Sequence, residues 1–376
     1  YLDVVAAYRF FCTAEVFCSW HTSRISQGIG YIHMKKQSVS ASDVAKMAGV
    51  SRTTVSFILN NTQGKHISEA TRQRVLKAAE ALQYVPDMNA ISLAKKAHYS
   101  IGFFICYSRA IFSDAYLFRL IEGITLVLNK HHCRLELHSL RMTRRNYLDL
   151  VHSSKLDGLI LMNTHTDDPG IKELEEAKIP FVVIGSIEGL SVPQVDIDNV
   201  AAAREMVDYL VSLGHRKIAM IAHAPLEFYA AANRLEAYRQ VLNENGIPII
   251  SKYIEVADFS EESGYRAMQR LLCLEDRPSA VFAGNDMVAY GAMQAIIDEG
   301  LSIPEDISIA GFDDDFLSRY LNPSLTTVAQ PSEGLGQAAA KLLIQEIISP
   351  RKSGLRERDH IVLPTMVAKR ESCRRI

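Results

Sequence analysis

What the sequence has little of narrows the field first. It holds one tryptophan and six cysteines, and no two cysteines stand at C-x-x-C spacing. That count is low for the length, and it points to a reducing compartment with thiols in apolar surroundings rather than to a disulfide framework. No stretch reaches the roughly 18 uncharged apolar residues that a membrane span needs. No P-loop, nucleophile elbow or H-E-x-x-H occurs, so neither a cofactor nor an enzyme activity is expected. His131-His132-Cys133 looks like a ligand cluster, but neighbouring side chains diverge on a helix or a strand, and no metal is expected there. "GLGQAA" at 334–339 has dinucleotide-loop spacing, yet Pro331-Ser332 precede it where a strand is required.

Hydrophobic residues fill 48% of the 376 positions and the mean hydropathy is +0.02, material for about two to three domains. The net charge of −2 hides an asymmetry. Between Met34 and His98 ten cations stand against four acids, a net of +6, which leaves −8 for the rest. A small basic head on an acidic body is an electrostatic footprint for phosphate binding, although a solvated basic helix pair would carry the same charge. Residues 1–33 hold Trp20 and the aromatic cluster "YRFFC" but no basic leader, and Asp3, Arg9 and Glu15 interrupt any secretion-signal core. "MKKQSVSASDVAKMAG" reads as a natural start at Met34, so 1–33 is taken as upstream sequence; the alternative is a true N-terminal extension.

Two textures follow. Ser40 with Asp43 makes a capping box, Gly49 ends a short helix, Ser51 caps a second and Ser68 a third. Val55, Ile58 and Leu59 form the buried side of the second helix, and the whole is a helix-turn-helix pattern. From Ile101, apolar runs of strand length such as "IGFFICY", "LDGLILMN", "KIAMIAH" and "SAVFAGND" alternate with helical stretches at 117–131, 199–213, 231–245, 262–274 and 287–299. Near-continuous apolar strands separated by helices predict parallel sheets covered on both faces, in two doubly wound lobes. "HIVLPTMVAKRES" reads as one closing strand. Several strands run into Gly185, Asn285-Asp286 or Asp313-Asp314, and ligands in such sheets sit beyond the carboxyl ends of the strands.

"SRTTVS" opens the second capped helix, where short polar and cationic side chains can reach major-groove base edges and the helix N-terminus favours phosphate. The bland alternative is an ordinary capped surface helix. "SASDVAKMAGVSRTTVSFILNN…ISEATRQRVLKAAEALQYVPDMNAISLAKK" resembles the LacI/GalR family of bacterial transcriptional repressors. The resemblance runs in order through "VDIDN", "LGHRKIAMI", "NRLEAYRQVL", "AVFAGNDMVAYGAM", "IPEDISIAGFDD" and "NPSLTTVAQP", over roughly 34 to 371. It implies an all-α helix-turn-helix DNA-binding head plus an α/β periplasmic-binding-protein-like body of two doubly wound lobes. The expected divisions are a head at 34–85, a hinge helix and linker at 86–99, and a ligand-binding and dimerisation body at 100–376. Within the body, the N-lobe is expected at about 100–195 and 331–352 and the C-lobe at about 196–330 and 353–371.

Carried over by position, the resemblance implies DNA contacts from Arg52, Thr53, Thr54, Ser56, Phe57, Asn60 and Tyr84, with Leu93 as a minor-groove wedge; Ser51 at the helix N-terminus and the basic Lys95 are expected to contact phosphate. Phe57 stands where relatives usually carry a polar or cationic reader. It follows Thr53 by four residues, so both share the outer face and Phe57 is read as groove-facing, with packing as the alternative. In the body, Arg234 and Asp313 match positions that grip a ligand's polar groups, with Asp286, Phe228, Tyr116 and Phe112 expected in the same cleft. A carboxylate and a guanidinium facing one cleft divide a sugar's hydroxyls into donors and acceptors. Of the adjacent Asp313, Asp314 and Asp315, which could suggest a Mg²⁺ site, only Asp313 has a matched role. Asp198 and Asn199 are expected to shape the crossover between lobes.

The resemblance therefore implies a cytoplasmic, nucleoid-associated repressor on double-stranded operator DNA. It is expected to be a homodimer, controlled by a small effector such as a sugar or a sugar derivative. The alternative is a secreted, periplasmic-type sugar-binding protein, against which the basic head and missing secretion signal argue. A sugar-modifying enzyme would need an acid/base pair or cofactor motif that the sequence does not supply.

Overall fold

The structure of the protein, a computed structural model, describes residues 40–59, 67–82, 99–106, 114–140, 146–165, 168–187, 192–348 and 360–376. The chain divides into two compact units, 1–94 and 95–376. The expected extension at 1–33 lies outside the described residues, as does the expected hinge but for Tyr99.

The first unit holds three helices: α1 (Ala41–Ala48), α2 (Arg52–Leu59) and α3 (Glu69–Ala81). Asp43 accepts hydrogen bonds from the Ser40 amide (2.9 Å) and hydroxyl (2.7 Å), which fixes the first turn of α1. Gly49 ends α1 with φ 65°, a left-handed conformation that its missing side chain makes easy. The Ser51 hydroxyl accepts from Thr54 N (3.1 Å) and that of Ser68 from Thr71 N (3.3 Å), so each later helix begins on its own cap. Val44, Ala48, Val55, Ile58, Val75 and Ala78 close into one apolar cluster.

The second unit begins with an N-lobe. It runs β1 (Ser100–Ile105), α4 (Ala115–Lys130), β2 (Arg134–Ser139), α5 (Tyr147–Ser154), β3 (Gly158–Met162), α6 (Pro169–Glu176), β4 (Phe181–Ile184) and β5 (Gln194–Ile197). The chain then enters a C-lobe through α7 (Asn199–Ser212), β6 (Ile218–Ala222), α8 (Tyr229–Glu244), β7 (Ile254–Val256), α9 (Glu261–Leu272), β8 (Ala280–Ala283), α10 (Asp286–Asp298), β9 (Ser308–Asp313) and β10 (Thr326–Ala329). It returns to the N-lobe with α11 (Ser332–Ile348) and ends in β11 (His360–Leu363) and β12 (Met366–Ala368).

The sheet orders are β2-β1-β3-β4-β5-β11 and β7-β6-β8-β9-β10-β12. All pairings are parallel except β10–β12. Register aligns Ile105 with Met162 and Met162 with Ile184, so the carboxyl ends of the N-lobe strands stand level at one rim.

Two sequence expectations need correction. "HIVLPTMVAKRES" holds two strands, not one: β11 extends the N-lobe sheet beside β5, and β12 closes the C-lobe sheet beside β10. The segment expected wholly in the C-lobe is therefore shared, and the crossing falls at Pro364-Thr365, where proline has no N–H to continue a ladder. Residues 196 and 197 likewise belong to β5 and the N-lobe. The apolar texture gave strands here but not the sheet each would join.

Each lobe also clamps one helix pair through glycine. A Cβ on Gly123 of α4 would lie 2.0 Å from Glu333 O, and one on Gly336 of α11 would lie 2.2 Å from Leu120 O. In the C-lobe a Cβ on Gly264 of α9 would lie 2.2 Å from Val288 O, and one on Gly291 of α10 would lie 1.8 Å from Glu261 O. Only glycine permits either approach.

Candidate functional site

The carboxyl ends of both sheets border one shared cleft, the place where open α/β sheets hold their ligands. The N-lobe wall supplies Asp114 and Tyr116 at the start of α4, Asn163 after β3, Gly185 after β4 and Asp196 on β5. The C-lobe wall supplies His223 after β6, Arg234 on α8, Phe259 after β7, Asn285 after β8, Asp313 ending β9 and Gln330 after β10. Asn199, first residue of α7, stands at the crossover. Asn163 (φ 55°), Phe259 (φ 70°) and Asp313 (φ 134°) adopt backbone conformations that L-residues avoid, so the rim carries local strain where it meets the cavity.

Arg234 is buried and committed. Its Nε donates to Asn199 Oδ1 (2.9 Å), Nη1 donates to Gly284 O (2.5 Å), and the guanidinium lies 3.5 Å from the centre of the Phe312 ring. Asn199 in turn donates to both oxygens of Asp196 (3.2 and 3.3 Å), and the Ser186 hydroxyl donates to Asp196 Oδ2 (2.8 Å). This chain of bonds ties the C-lobe wall to the N-lobe wall.

Burial raises the carboxyl pKa values throughout. Asp313 is pushed well above the ordinary carboxylate range by burial and then by the Asp286 charge, against the pull of Arg234. Gln330 Nε2 donates to Asp313 Oδ1. Burial lifts Asp114 to about 6, although the Leu117 and Tyr116 amides bond it. Asp196 is raised by burial despite its hydrogen bonds. Burial pulls Arg234 below its ordinary value, opposed first by Asp313. A wall of carboxyls and amides around one guanidinium can accept from and donate to a polyhydroxylated molecule, with the Phe259 ring as an apolar platform.

Of the residues expected here, Tyr116, Arg234 and Asp313 meet at this cavity. Asp286 does not: it lies behind the wall, accepting from Thr327 Oγ1 (2.6 Å), Ser318 Oγ (2.7 Å) and Asp315 N (2.9 Å). As first residue of α10 it turns inward, and its neighbour Asn285 takes the cleft and the cap on Val288 N (2.9 Å). Phe228 is displaced too. It lines an adjoining pocket and packs edge-on against Phe259 (5.3 Å) and His165 (4.5 Å), so Phe259 is the aromatic that reaches the main cavity. Phe112 lies outside the described residues. Asp198 caps α7 through Ala201 N (2.9 Å), while Asn199 serves both crossover and cleft.

Comparison with known proteins decides what frame these walls belong to. Residues 41–87 match the family model "Bacterial regulatory proteins, lacI family", and 207–373 match "Periplasmic binding protein-like domain". The chain is 35% identical over 340 residues to the probable HTH-type transcriptional repressor ExuR of Bacillus subtilis (strain 168), across 90% of this chain and 99% of that one. The chain belongs to the LacI family. It is, accordingly, a DNA-binding transcriptional regulator. The lac repressor dimer bound to operator and the anti-inducer ONPF superposes with a TM-score of 0.75 at 29% identity, over 89% of this chain and 98% of that one. A complex of the transcriptional regulator CelR with cellobiose gives 0.67 at 29% identity, over 89% and 99%. Among the described residues, no helix is long and apolar enough to cross a membrane, and no group of three His, Cys, Asp or Glu could hold a metal ion.

In the LacI-family head, Arg52 and Thr53 stand exposed on the first turn of α2. Ser51 and Thr54 bond each other through their hydroxyls (2.9 Å), so they build the cap as well as border it. Ser56 and Phe57 are half-buried, and Phe57 is not a member of the head's apolar cluster. Asn60, Tyr84, Leu93 and Lys95 lie outside the described residues.

Sequence reasoning pointed to the strand end at Asn285-Asp286 but missed Phe259, His223, Gln330, Asn163, Asp114 and Asp196 as lining residues. A signal for several existed: they follow apolar runs directly, the rule that pointed to Gly185 and Asp313. Phe259 follows the three-residue strand β7, too short for a pattern to announce it.

Proposed function

We propose that this regulator represses transcription as a homodimer on double-stranded operator DNA, in the cytoplasm and on the nucleoid. A small sugar or sugar derivative in the cleft controls it. The observation that carries the proposal is one chain joining a capped helix-turn-helix head to a body whose strand ends ring a polar cavity with an aromatic platform. Relatives solved with operator and with cellobiose support the two kinds of partner. In the head, Arg52, Thr53 and Phe57 read base edges, Ser51, Thr54 and Ser56 set the docking turn, and Asn60, Tyr84, Leu93 and Lys95 extend the contact. In the body, Tyr116, Arg234 and Asp313 hold the effector, with Phe259 beneath it and Gln330 fixing Asp313. Ligand preference for one lobe arrangement, and DNA preference for one arrangement of heads, couple through that difference. No chemical step is part of the proposal.

The test is selection of bound DNA from a random pool, repeated with a sugar library. A two-fold symmetric site should emerge, and at least one sugar should change its enrichment. A pool that gains no sequence preference would overturn the DNA half, and indifference to every sugar would overturn the effector half.

A further inference from the structure

We propose that His223 is a specificity-determining residue of the cleft, donating a hydrogen bond from Nε2 to an oxygen of an uncharged, hydroxylated effector. The inference deepens the effector reading given above and rests on it. His223 follows β6 directly, is 6% exposed, and lines both the main cavity and the adjoining pocket. Its backbone is held in place: His223 O accepts from Phe259 N (2.6 Å), and the two rings meet edge to face at 5.4 Å. Nδ1 is sealed from solvent and meets no hydrogen-bonding partner. It faces the backbone of Gly284, where an added Cβ would lie 2.9 Å away. Among the described residues, no protein group bonds Nε2 either.

A neutral imidazole carries one N–H and one lone pair. Burial, and then the Arg234 charge, hold the His223 pKa well below 6.5, so the ring is neutral. A buried N–H without an acceptor is the costlier orphan, so the lone pair sits on Nδ1 and the proton on Nε2. The ring edge left to the cleft thus presents a donor that the protein does not use. A buried donor whose partner must come from the ligand discriminates sharply, because an analogue lacking the acceptor leaves it unpaired.

The charge of the effector follows from the same wall. Asp114, Asp196 and Asp313 line it. Among the described residues, the only arginine or lysine lining it is Arg234, already engaged by Asn199, Gly284 and Phe312. Among the described lining residues, a phosphate or carboxylate would meet three carboxyls and one committed guanidinium.

The experiment titrates the full chain by calorimetry with D-ribose, D-glucose, D-galactose and cellobiose, their monodeoxy derivatives, and D-glucuronate and glucose 6-phosphate. The tightest neutral sugar is then measured on His223→Ala and His223→Gln, with thermal melting to confirm folding. His223→Ala should weaken it about tenfold, and His223→Gln, which keeps a donor near Nε2, should restore most of the loss. One deoxy derivative should lose affinity on the wild type but not on His223→Ala, the coupling that direct contact requires. Equal binding by wild type and both variants, or a loss shared by every derivative, would overturn the role of His223 and leave the effector cleft standing. Preferential binding of an anionic sugar would overturn the charge assignment. No binding by any neutral sugar would overturn the inference and the effector reading together.

Discussion

The N-lobe and the C-lobe share one strand order, yet they hold their halves of the cleft by different means. The C-lobe wall is backed by an interlocked polar layer: Asp286 gathers Ser318, Thr327 and Asp315, and Arg234 reaches Gly284. The N-lobe wall presents Asp114 and Tyr116 from the opening turn of α4, with Asp196 held by Ser186 and Asn199. The glycine clamps differ too. In the C-lobe they join α9 to α10, neighbours in sequence, whereas in the N-lobe they join α4 to α11, more than two hundred residues apart. One topology used twice thus positions ligand-facing groups from a locally built scaffold on one side and a remotely built one on the other.

The change expected to act most strongly is Arg234→Met, which removes the link between the walls. It leaves the Asn199 and Gly284 oxygens without their donor and Asp313 and Asp196 without a counter-charge. Chemical denaturation should show a loss of about 4 kcal/mol; a loss below about 1 kcal/mol would mean that the link carries little. Next, Gly291→Ala and Gly123→Ala test whether the two clamps are equivalent. Each forces a Cβ into a backbone carbonyl, and each should cost about 3 kcal/mol. If only one lobe suffers, the symmetry of the clamps is broken.

Asp286→Ala probes the C-lobe backing alone. Two hydroxyls and the Asp315 amide lose their acceptor, for a cost of about 2 kcal/mol, read by thermal melting. Its effect on sugar affinity should be smaller than that of Asp313→Ala, since Asp286 stands one layer back. The smallest effect is expected on the N-lobe side. Asp114 titrates near 6 in the folded protein against 3.8 ordinarily, so the folded state binds more protons between those values. The contribution of Asp114 to stability therefore rises as the pH falls from 7 toward 4. Asp114→Asn keeps a cap for α4 but should flatten part of that rise; Asp286, also pushed up to about 6, and Asp313 and Asp196, both raised by burial, act in the same direction. An unchanged pH profile would remove Asp114 from the account.

The same contrast explains what could be read from the sequence. The head was legible because its signals are local: Ser40 with Asp43, Gly49, Ser51 and Ser68 each act within a few residues. The alternation of strands and helices was legible for the same reason, and the five helices read from periodicity lie within two residues of their observed starts and ends. The site was legible only in part. Arg234 and Asp313 were placed by family resemblance, but which of Asn285 and Asp286 faces the cavity depends on the turn into α10. Whether Phe228 or Phe259 reaches it depends on packing between two loops. The closing strands were misjudged because "HIVL" and "MVA" look alike, and their sheets are assigned by neighbours far away in sequence.

The three crossings between lobes carry a consequence for how the molecule is made. The N-lobe sheet lacks β11 and the α4 surface lacks α11 until the C-lobe segments have been traversed. On a ribosome, therefore, neither lobe can close its sheet until the final strands emerge, β11 for the N-lobe and then β12 for the C-lobe. The nascent chain must shelter the apolar face of α4 through most of translation, while α9 and α10 meet as soon as both have emerged.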